Sequence, residues 1–245
     1  MIEEAQKRTI RSFVLRAGRM TDAQVKAYQT LWDEYGLVCD HQRLDLQKTF
    51  GRAAPVVFEI GFGMGDSLLR QAINEPDRNF VGVEVHRPGV GRLMNEAKKA
   101  GVTNLRVICE DAVTVLSVGL VPQSLDGVQI YFPDPWHKKR HHKRRIVQPN
   151  FISLLADRVR VGGFCHLATD WAPYAEWMVE VFRNSAAWHN TSKEGDFVTR
   201  PARRPITKFE ARGERLGHDV FDLIYERKIS DEHLQNVVKV SPTKS

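Results

Sequence analysis

The chain has 245 residues, 42% of them hydrophobic, and carries 36 Lys and Arg against 30 Asp and Glu for a formal charge of +6. It is long enough to bury a real core in one large domain or two small ones, and no uncharged stretch approaches the roughly 18 apolar residues of a membrane-spanning helix. The start Met1-Ile2-Glu3-Glu4 has no apolar signal segment, and Cys39, Cys109 and Cys165 are odd in number without a Cys-x-x-Cys pair, so export, a disulfide framework and a zinc site are disfavoured and a reducing cytoplasm is expected.

Residues 1–55 read as an N-terminal arm with one helix, in which Thr21 and Gln24 form a capping box ahead of Val25, Tyr28, Leu31 and Trp32 at helical spacing. Arg8, Arg11, Arg16 and Arg19 precede it; they read as scattered surface charge, with a grip on a polyanion as the alternative. From residue 56 strands and helices alternate. A strand at Val56 to Ile60 ends at Gly61, and Leu68, Leu69, Ala72 and Ile73 follow on one helical face. A strand at Phe80 to Val85 precedes a helix from about Val90 to Ala100 closed by Gly101. A third strand is expected at Leu105 to Ile108 and a fourth at Gly127 to Phe132. Phe151, Leu154 and Leu155 mark a helix behind Pro149, and Phe164 to Ala168 is a strand after a Gly162-Gly163 turn. Tyr174, Trp177, Met178, Val181 and Phe182 share one helix face, and Asp222 to Arg227 is a late strand. Residues 56–227 thus form an α/β domain, a doubly wound, mostly parallel sheet with helices on both faces, and residues 228–245 a polar tail expected to be partly disordered.

In such sheets ligands bind at the carboxyl ends of the strands, and Glu59-Ile60-Gly61-Phe62-Gly63-Met64-Gly65-Asp66 stands at a strand end before a helix. The dinucleotide fingerprint is Gly-x-Gly-x-x-Gly; here the third glycine comes one position early. A pyrophosphate would also sit among the carboxylates of Glu59 and Asp66. S-adenosylmethionine carries a sulfonium and an ammonium and no phosphate, so the same acids favour it. Glu84, at the end of the second strand, is placed to accept the ribose hydroxyls. Asp111, after the third, is placed to accept from the adenine amino group, with Ala112 beside it in the candidate cofactor set. Taken singly these acids are ordinary strand-end residues or helix caps. Gly61, Gly63 and Gly65 make either a tight turn or a close approach to a ligand, and the second explains three of them better.

The fourth strand runs into Pro133-Asp134-Pro135-Trp136, where prolines fix the backbone, Trp136 offers a face for stacking a base and Asp134 supplies a carboxylate. Directly after it, the run from His137 to Arg145 holds six Lys and Arg and no acid, so the chain's whole excess of charge lies in nine residues. A polyanion-binding surface beside a site is the better reading than a solvated face, and Lys138, Arg140, Lys143, Arg144 and Arg145 are its candidate contacts. His137, His141 and His142 have metal-like spacing, but flanking cations repel a divalent ion and no Cys or Asp completes the set, so no metal is expected.

With these motifs the chain closely resembles the bacterial tRNA (guanine-N7-)-methyltransferase family, the TrmB type. The likeness rests on Glu59 to Gly65, Pro133-Asp134-Pro135-Trp136-His137-Lys138, Ala168-Thr169-Asp170-Trp171 and Thr207-Lys208-Phe209-Glu210, and covers roughly residues 56–227. The resemblance implies a Rossmann-like class I S-adenosylmethionine-dependent fold. It implies cofactor contacts from Glu59, Glu84, Asp111 and Asp134, catalysis by Asp134, and substrate contacts from Lys138, Asp170, Thr207, Lys208, Phe209 and Glu210. The implied reaction is methylation at N7 of the guanosine at position 46 in the tRNA variable loop, with S-adenosylhomocysteine as the other product. Guanine N7 has an in-plane lone pair and no proton, so attack on the methyl needs no general base; positioning, and Asp134 offsetting the charge that develops on the ring, would supply the acceleration. From spacing alone Asp170 is equally a cap for the helix of Tyr174, and Lys208 and Glu210 read as surface residues whose substrate role is carried by the resemblance. A nicotinamide oxidoreductase and a noncatalytic tRNA-binding protein are the competing classes; cofactor titration and a methyl-transfer assay separate them. No protein partner and no membrane association is indicated.

Overall fold

The computed structural model describes residues 11–13, 18–39, 43–206, 210 and 219–229. Arg8, Arg16, Thr207, Lys208, Phe209 and the tail from residue 230 lie outside the described residues. The elements in chain order are helices α1 (Asp22–Thr30) and α2 (Trp32–Tyr35), strand β1 (Gly36–Leu37), helix α3 (Leu46–Phe50), strand β2 (Val56–Ile60), helix α4 (Asp66–Asn74), strand β3 (Asn79–Val83), helix α5 (Arg87–Lys99), strand β4 (Leu105–Ile108), helix α6 (Ala112–Thr114) and strand β5 (Leu125–Tyr131). A π-helical turn (Val115–Gly119) between α6 and β5, a 3₁₀ segment (Lys139–Arg144), helix α7 (Pro149–Arg158), strand β6 (Val159–Thr169), helix α8 (Ala172–Arg183) and strands β7 (Trp188–Asn190) and β8 (Phe221–Arg227) complete it.

One sheet takes the order β1-β4-β3-β2-β5-β6-β8-β7, parallel from β1 to β6, with β8 antiparallel to both β6 and β7. Every residue of β2 and β3 is buried, which is why these strands read as apolar runs and not as alternation: a parallel sheet is covered on both faces. The two-residue period still sorts side chains between the faces. Val57 packs with Leu68 of α4 and Leu93 and Met94 of α5, while Phe58 and Ile60 pack with Phe151 and Leu155 of α7 and Met178 of α8. So α4 and α5 cover one face and α7 and α8 the other.

The helix of residues 1–55 has the expected capping box, with Gln24 N–H donating to Thr21 Oγ1 at 3.3 Å and Thr21 N–H to Gln24 Oε1 at 2.8 Å. The boundary expected at residue 55 falls inside the fold. α1 lies against α5 so closely that a Cβ on Gly91 would stand 2.5 Å from the Gln24 carbonyl oxygen, and β1 extends the sheet beyond β4. Two further expectations shift. α5 begins at Arg87 because Pro88 occupies a first-turn position where no N–H is needed. β6 begins at Val159, and Gly162-Gly163, expected as a turn ahead of the strand, lies within a register slip in which β6 passes from Val159 to Phe164 while β5 passes from Leu125 to Gly127. Among the described residues no helix is long and apolar enough to cross a membrane.

Candidate active site

Strand register builds the site. Ile60 pairs with Val83 and with Ile130, and Val83 pairs with Ile108. The residues that follow therefore leave the sheet along one edge: Gly61, Glu84, Cys109, and Tyr131 with Phe132. β2 crosses through α4 to β3 on one side, while β5 lies on its other side. The strand order reverses there, and a crevice opens between the carboxyl ends of β2 and β5.

Gly61, Gly63 and Gly65 all have left-handed φ, at +74°, +59° and +82°. Turn geometry by itself therefore requires all three, and the preference for ligand approach over a tight turn is corrected in that respect. What remains for a ligand is the open side of the loop, since a Cβ on Gly61 or Gly63 would meet nothing within 4 Å. The sequence reading missed what holds the loop. A Cβ on Gly89 of α5 would stand 1.9 Å from the Gly63 carbonyl oxygen, so that helix rests directly on the loop. Arg92 donates to the Met64 carbonyl and to Asp66 Oδ1, each at 2.5 Å. The available signal was a pair of glycines inside a helix, which is unfavourable unless something packs closely there.

The acids divide between two adjoining cavities that share Gly61, Tyr131 and Phe132 as walls. One, of about 230 Å³, is lined by Glu84, Asp111, Ala112 and Asp134. Glu84 accepts from the backbone N–H of Gly63 at 2.9 Å, of Val85 at 2.7 Å and of His86 at 2.9 Å, which ties the loop to the end of β3. Asp111 caps α6, accepting from Val113 N–H at 2.8 Å, so its cap role holds, and it lines the cavity as well. Glu59 lines the second cavity, of about 400 Å³, together with the glycine loop. It is 3% exposed and, among the described residues, its Oε2 has no hydrogen-bond partner. Burial, and then the nearby Glu84 carboxylate, raise its pKa from 4.5 to about 8.

Asp134 is exposed at the mouth of the first cavity. The turn carrying it is bracketed by Phe132 and Trp136, both at left-handed φ of +50° and +48°, a conformation that side-chain-bearing residues hold only under constraint. Trp136 Nε1–H donates to the Ser12 carbonyl at 3.2 Å, the Arg144 guanidinium lies 4.8 Å over its ring and His141 meets it edge-on at 5.8 Å. One face of the ring expected to stack a base is thus covered by Arg144. Within the basic run, Lys138, Lys139, Arg140 and Lys143 are exposed. Arg145 is a correction. It is 4% exposed, its Nε–H donates to the Pro135 carbonyl at 2.9 Å and its guanidinium lies 4.8 Å over Tyr174. It is turned inward and holds the Asp134 turn from behind. Asp170 is exposed just past β6, and the N-cap of α8 is Trp171 without a side-chain cap, so the capping reading of Asp170 is overturned.

Behind β5 a buried polar chain leads away from the crevice. Tyr131 OH lies 3.0 Å from His166 Nδ1, and His166 Nε2 lies 2.7 Å from Asp222 Oδ1. Asp222 can only accept, so Nε2 carries the proton and Nδ1 accepts the tyrosine hydroxyl. Burial holds His166 below its usual pKa, in keeping with a neutral ring. Arg204, fully buried, donates to Asp222 at 2.7 Å and to both Glu210 oxygens at 2.6 and 2.7 Å. Burial alone would push the Asp222 carboxyl up, but the bonds from His166 and Arg204 outweigh it and hold the group below the usual range. Glu210 is 2% exposed, which overturns the surface reading of that residue and gives it the task of anchoring Arg204.

The chain matches, over residues 53–223, a protein-family model described as "Putative methyltransferase". Two relatives are similar along almost the whole length. The tRNA (guanine-N(7)-)-methyltransferase of Idiomarina loihiensis is 56% identical over 219 residues, 89% of each chain. That of Aeromonas hydrophila is 56% identical over 220 residues, 90% of this chain and 93% of the relative. Among solved structures, a 16S rRNA (adenine(1408)-N(1))-methyltransferase from Catenulisporales acidiphilia, determined with its cosubstrate SAM, superposes with a TM-score of 0.51 at 18% identity over 79% of this chain and 93% of that one.

Proposed function

Since the chain belongs to the tRNA (guanine-N(7)-)-methyltransferase family, we propose that its crevice binds S-adenosylmethionine and presents a tRNA guanine, the one at position 46 of the variable loop, for methylation at N7. The observation that carries this reading is the meeting of Glu59, Glu84, Asp111 and Asp134 around a glycine loop whose outer side is open.

The residues fit the cofactor. A buried carboxylate with an unpartnered oxygen among the described residues suits a cationic ligand, and Glu84 and Asp111 are carboxylate acceptors lining one cavity beside the loop, as the ribose hydroxyls and the adenine amino group require. When bound, the cofactor supplies an activated methyl on a sulfonium. The work of this chain is then to position. Guanine N7 has a lone pair and no proton, so no side chain is needed as a base at the nucleophile. Asp134, exposed and held by Pro133, Pro135 and the Arg145 bond to the Pro135 carbonyl, takes the guanine edge and offsets the positive charge that grows on the ring. Lys138, Arg140, Lys143 and Arg144 line the approach of the RNA backbone, with Asp170 exposed at the neighbouring strand end.

A methyl-transfer assay with labelled S-adenosylmethionine and unmodified tRNA, followed by nucleoside analysis, tests the reading. The expected product is 7-methylguanosine from the variable loop. Label in another nucleoside, or binding of tRNA without transfer, would refute it.

A further inference from the structure

We propose that Arg70, Arg200 and Arg203 form a second phosphate cradle for the substrate RNA, on the α4 side of the sheet and separate from the basic run. These three arginines, with Gln71 and Asn74, line a cavity of about 470 Å³. Glu75 is the carboxylate in that lining, and Arg78 pairs with it at 3.0 Å. Arg203 lies 3.9 Å over the Phe164 ring and, among the described residues, has neither a hydrogen bond nor an ion pair. Burial lowers its pKa, the sign of a cation short of compensation. A guanidinium drawn out of water onto an aromatic face without an anion is costly, and its fork matches a phosphate in plane. Arg70 is exposed on α4 and likewise has no ion pair among the described residues. Arg200 is fixed at the rim, donating to the Arg204 carbonyl at 2.9 Å and standing 3.7 Å from Glu210.

The cavity's place in the fold says which anion. Arg70, Pro205 and Ile206 line both this cavity and the one holding Glu59, so the cradle opens beside the crevice. The basic run leaves the same edge toward α7, which covers the opposite face. Cations therefore flank the mouth on two sides. Backbone contacts fix register without reading sequence, and holding the strand on both sides of one nucleotide is what presenting a single guanine requires. The inference rests on the proposed tRNA substrate. The cofactor's carboxylate shares the anionic chemistry and is the alternative source, which the experiment separates.

The test titrates Arg70→Gln/Arg203→Gln and, because Arg203 is packed on Phe164, the single Arg70→Glu, with unmodified tRNA across salt concentrations and with S-adenosylhomocysteine by calorimetry. The double variant is expected to bind tRNA about tenfold more weakly, to lower the slope of log affinity against log salt by up to about 1.4, and to show the loss in KM for tRNA more than in kcat. Arg70→Glu should move the same way, and S-adenosylhomocysteine affinity should hold in both. If the wild-type enzyme methylates tRNA while both variants keep its affinity and slope, the cradle is wrong and the function stands. A loss confined to S-adenosylhomocysteine assigns the arginines to the cofactor and overturns the cradle. A wild-type protein that does not act on tRNA overturns both.

Discussion

Glu59 and Asp134 carry the same chemical group in opposite surroundings, one sealed beneath the glycine loop and one open to the solvent at the mouth of the site. That difference separates their roles. With a folded pKa of about 8 against an ordinary 4.5, Glu59 keeps a proton that the unfolded chain gives up. The ligand-free fold should therefore lose stability as pH rises from about 4.5 to about 8 and level off above it, because the folded state binds more protons across that window. A cationic cofactor favours the ionised form, so its binding should expel this proton, and affinity should rise with pH toward about 8, by up to about tenfold per unit. Calorimetry at neutral pH in two buffers of different ionisation enthalpy measures the release. Wild type should show it and Glu59→Gln should not, and equal release from both would mean that another group is titrating. Asp134→Asn preserves shape and exposure but removes the charge. With tRNA and cofactor saturating, its turnover should fall by about two orders of magnitude; near-normal turnover would reduce Asp134 to a turn residue.

At the scale of elements, the segment carrying residues 200–206 is fastened to the sheet by Arg204, which joins Asp222 of β8 and, through it, His166 of β6 and Tyr131 of β5. Replacing it by methionine leaves the Glu210 and Asp222 carboxylates buried without their cation. Arg204→Met should cost about 3–5 kcal/mol in urea unfolding, and hydrogen exchange should show the segment released; a loss below about 1 kcal/mol would mean that water replaces the guanidinium freely. None of this was visible in the sequence, because the partners lie 18 and 56 residues apart and follow no period. The strands at Val56 and Leu105 were visible for the opposite reason, since a strand covered on both faces is an apolar run that ends where the sheet ends. That end also marks the site, so Glu59, Glu84 and Asp111 could be found by position. β1 and β7, of two and three residues, are too short to show a pattern. Within the run from His137 to Arg145 the residue types say nothing about which side chains turn inward, and Arg145 was read like its neighbours for that reason.

At the scale of the whole molecule, that one inward turn changes how the protein should meet a polyanion. The excess of six positive charges coincides with six Lys and Arg in the run. Of these, Lys138, Lys139, Arg140 and Lys143 are exposed, Arg144 is half-buried over Trp136, and Arg145 is buried against Tyr174. At about 0.7 per phosphate contact, five cations give a salt slope no steeper than about −3.5 from this run. Replacing Lys139, Arg140 and Lys143 together by alanine should flatten the slope by up to about 2.1 and leave cofactor binding intact, because these residues follow β5 while Glu59 lies in β2 and Glu84 follows β3. Arg145→Ala is the internal control. It removes one formal charge, the same per residue as the triple variant, yet it should leave the slope close to wild type and instead lower stability by about 1–3 kcal/mol through the lost bond to Pro135 and the lost cover on Tyr174. Titrating tRNA across salt with both variants, alongside urea unfolding, decides between charge as composition and charge as placement. Equal flattening per residue in the two would show that formal charge alone governs the encounter, and that the inward Arg145 is released when RNA binds.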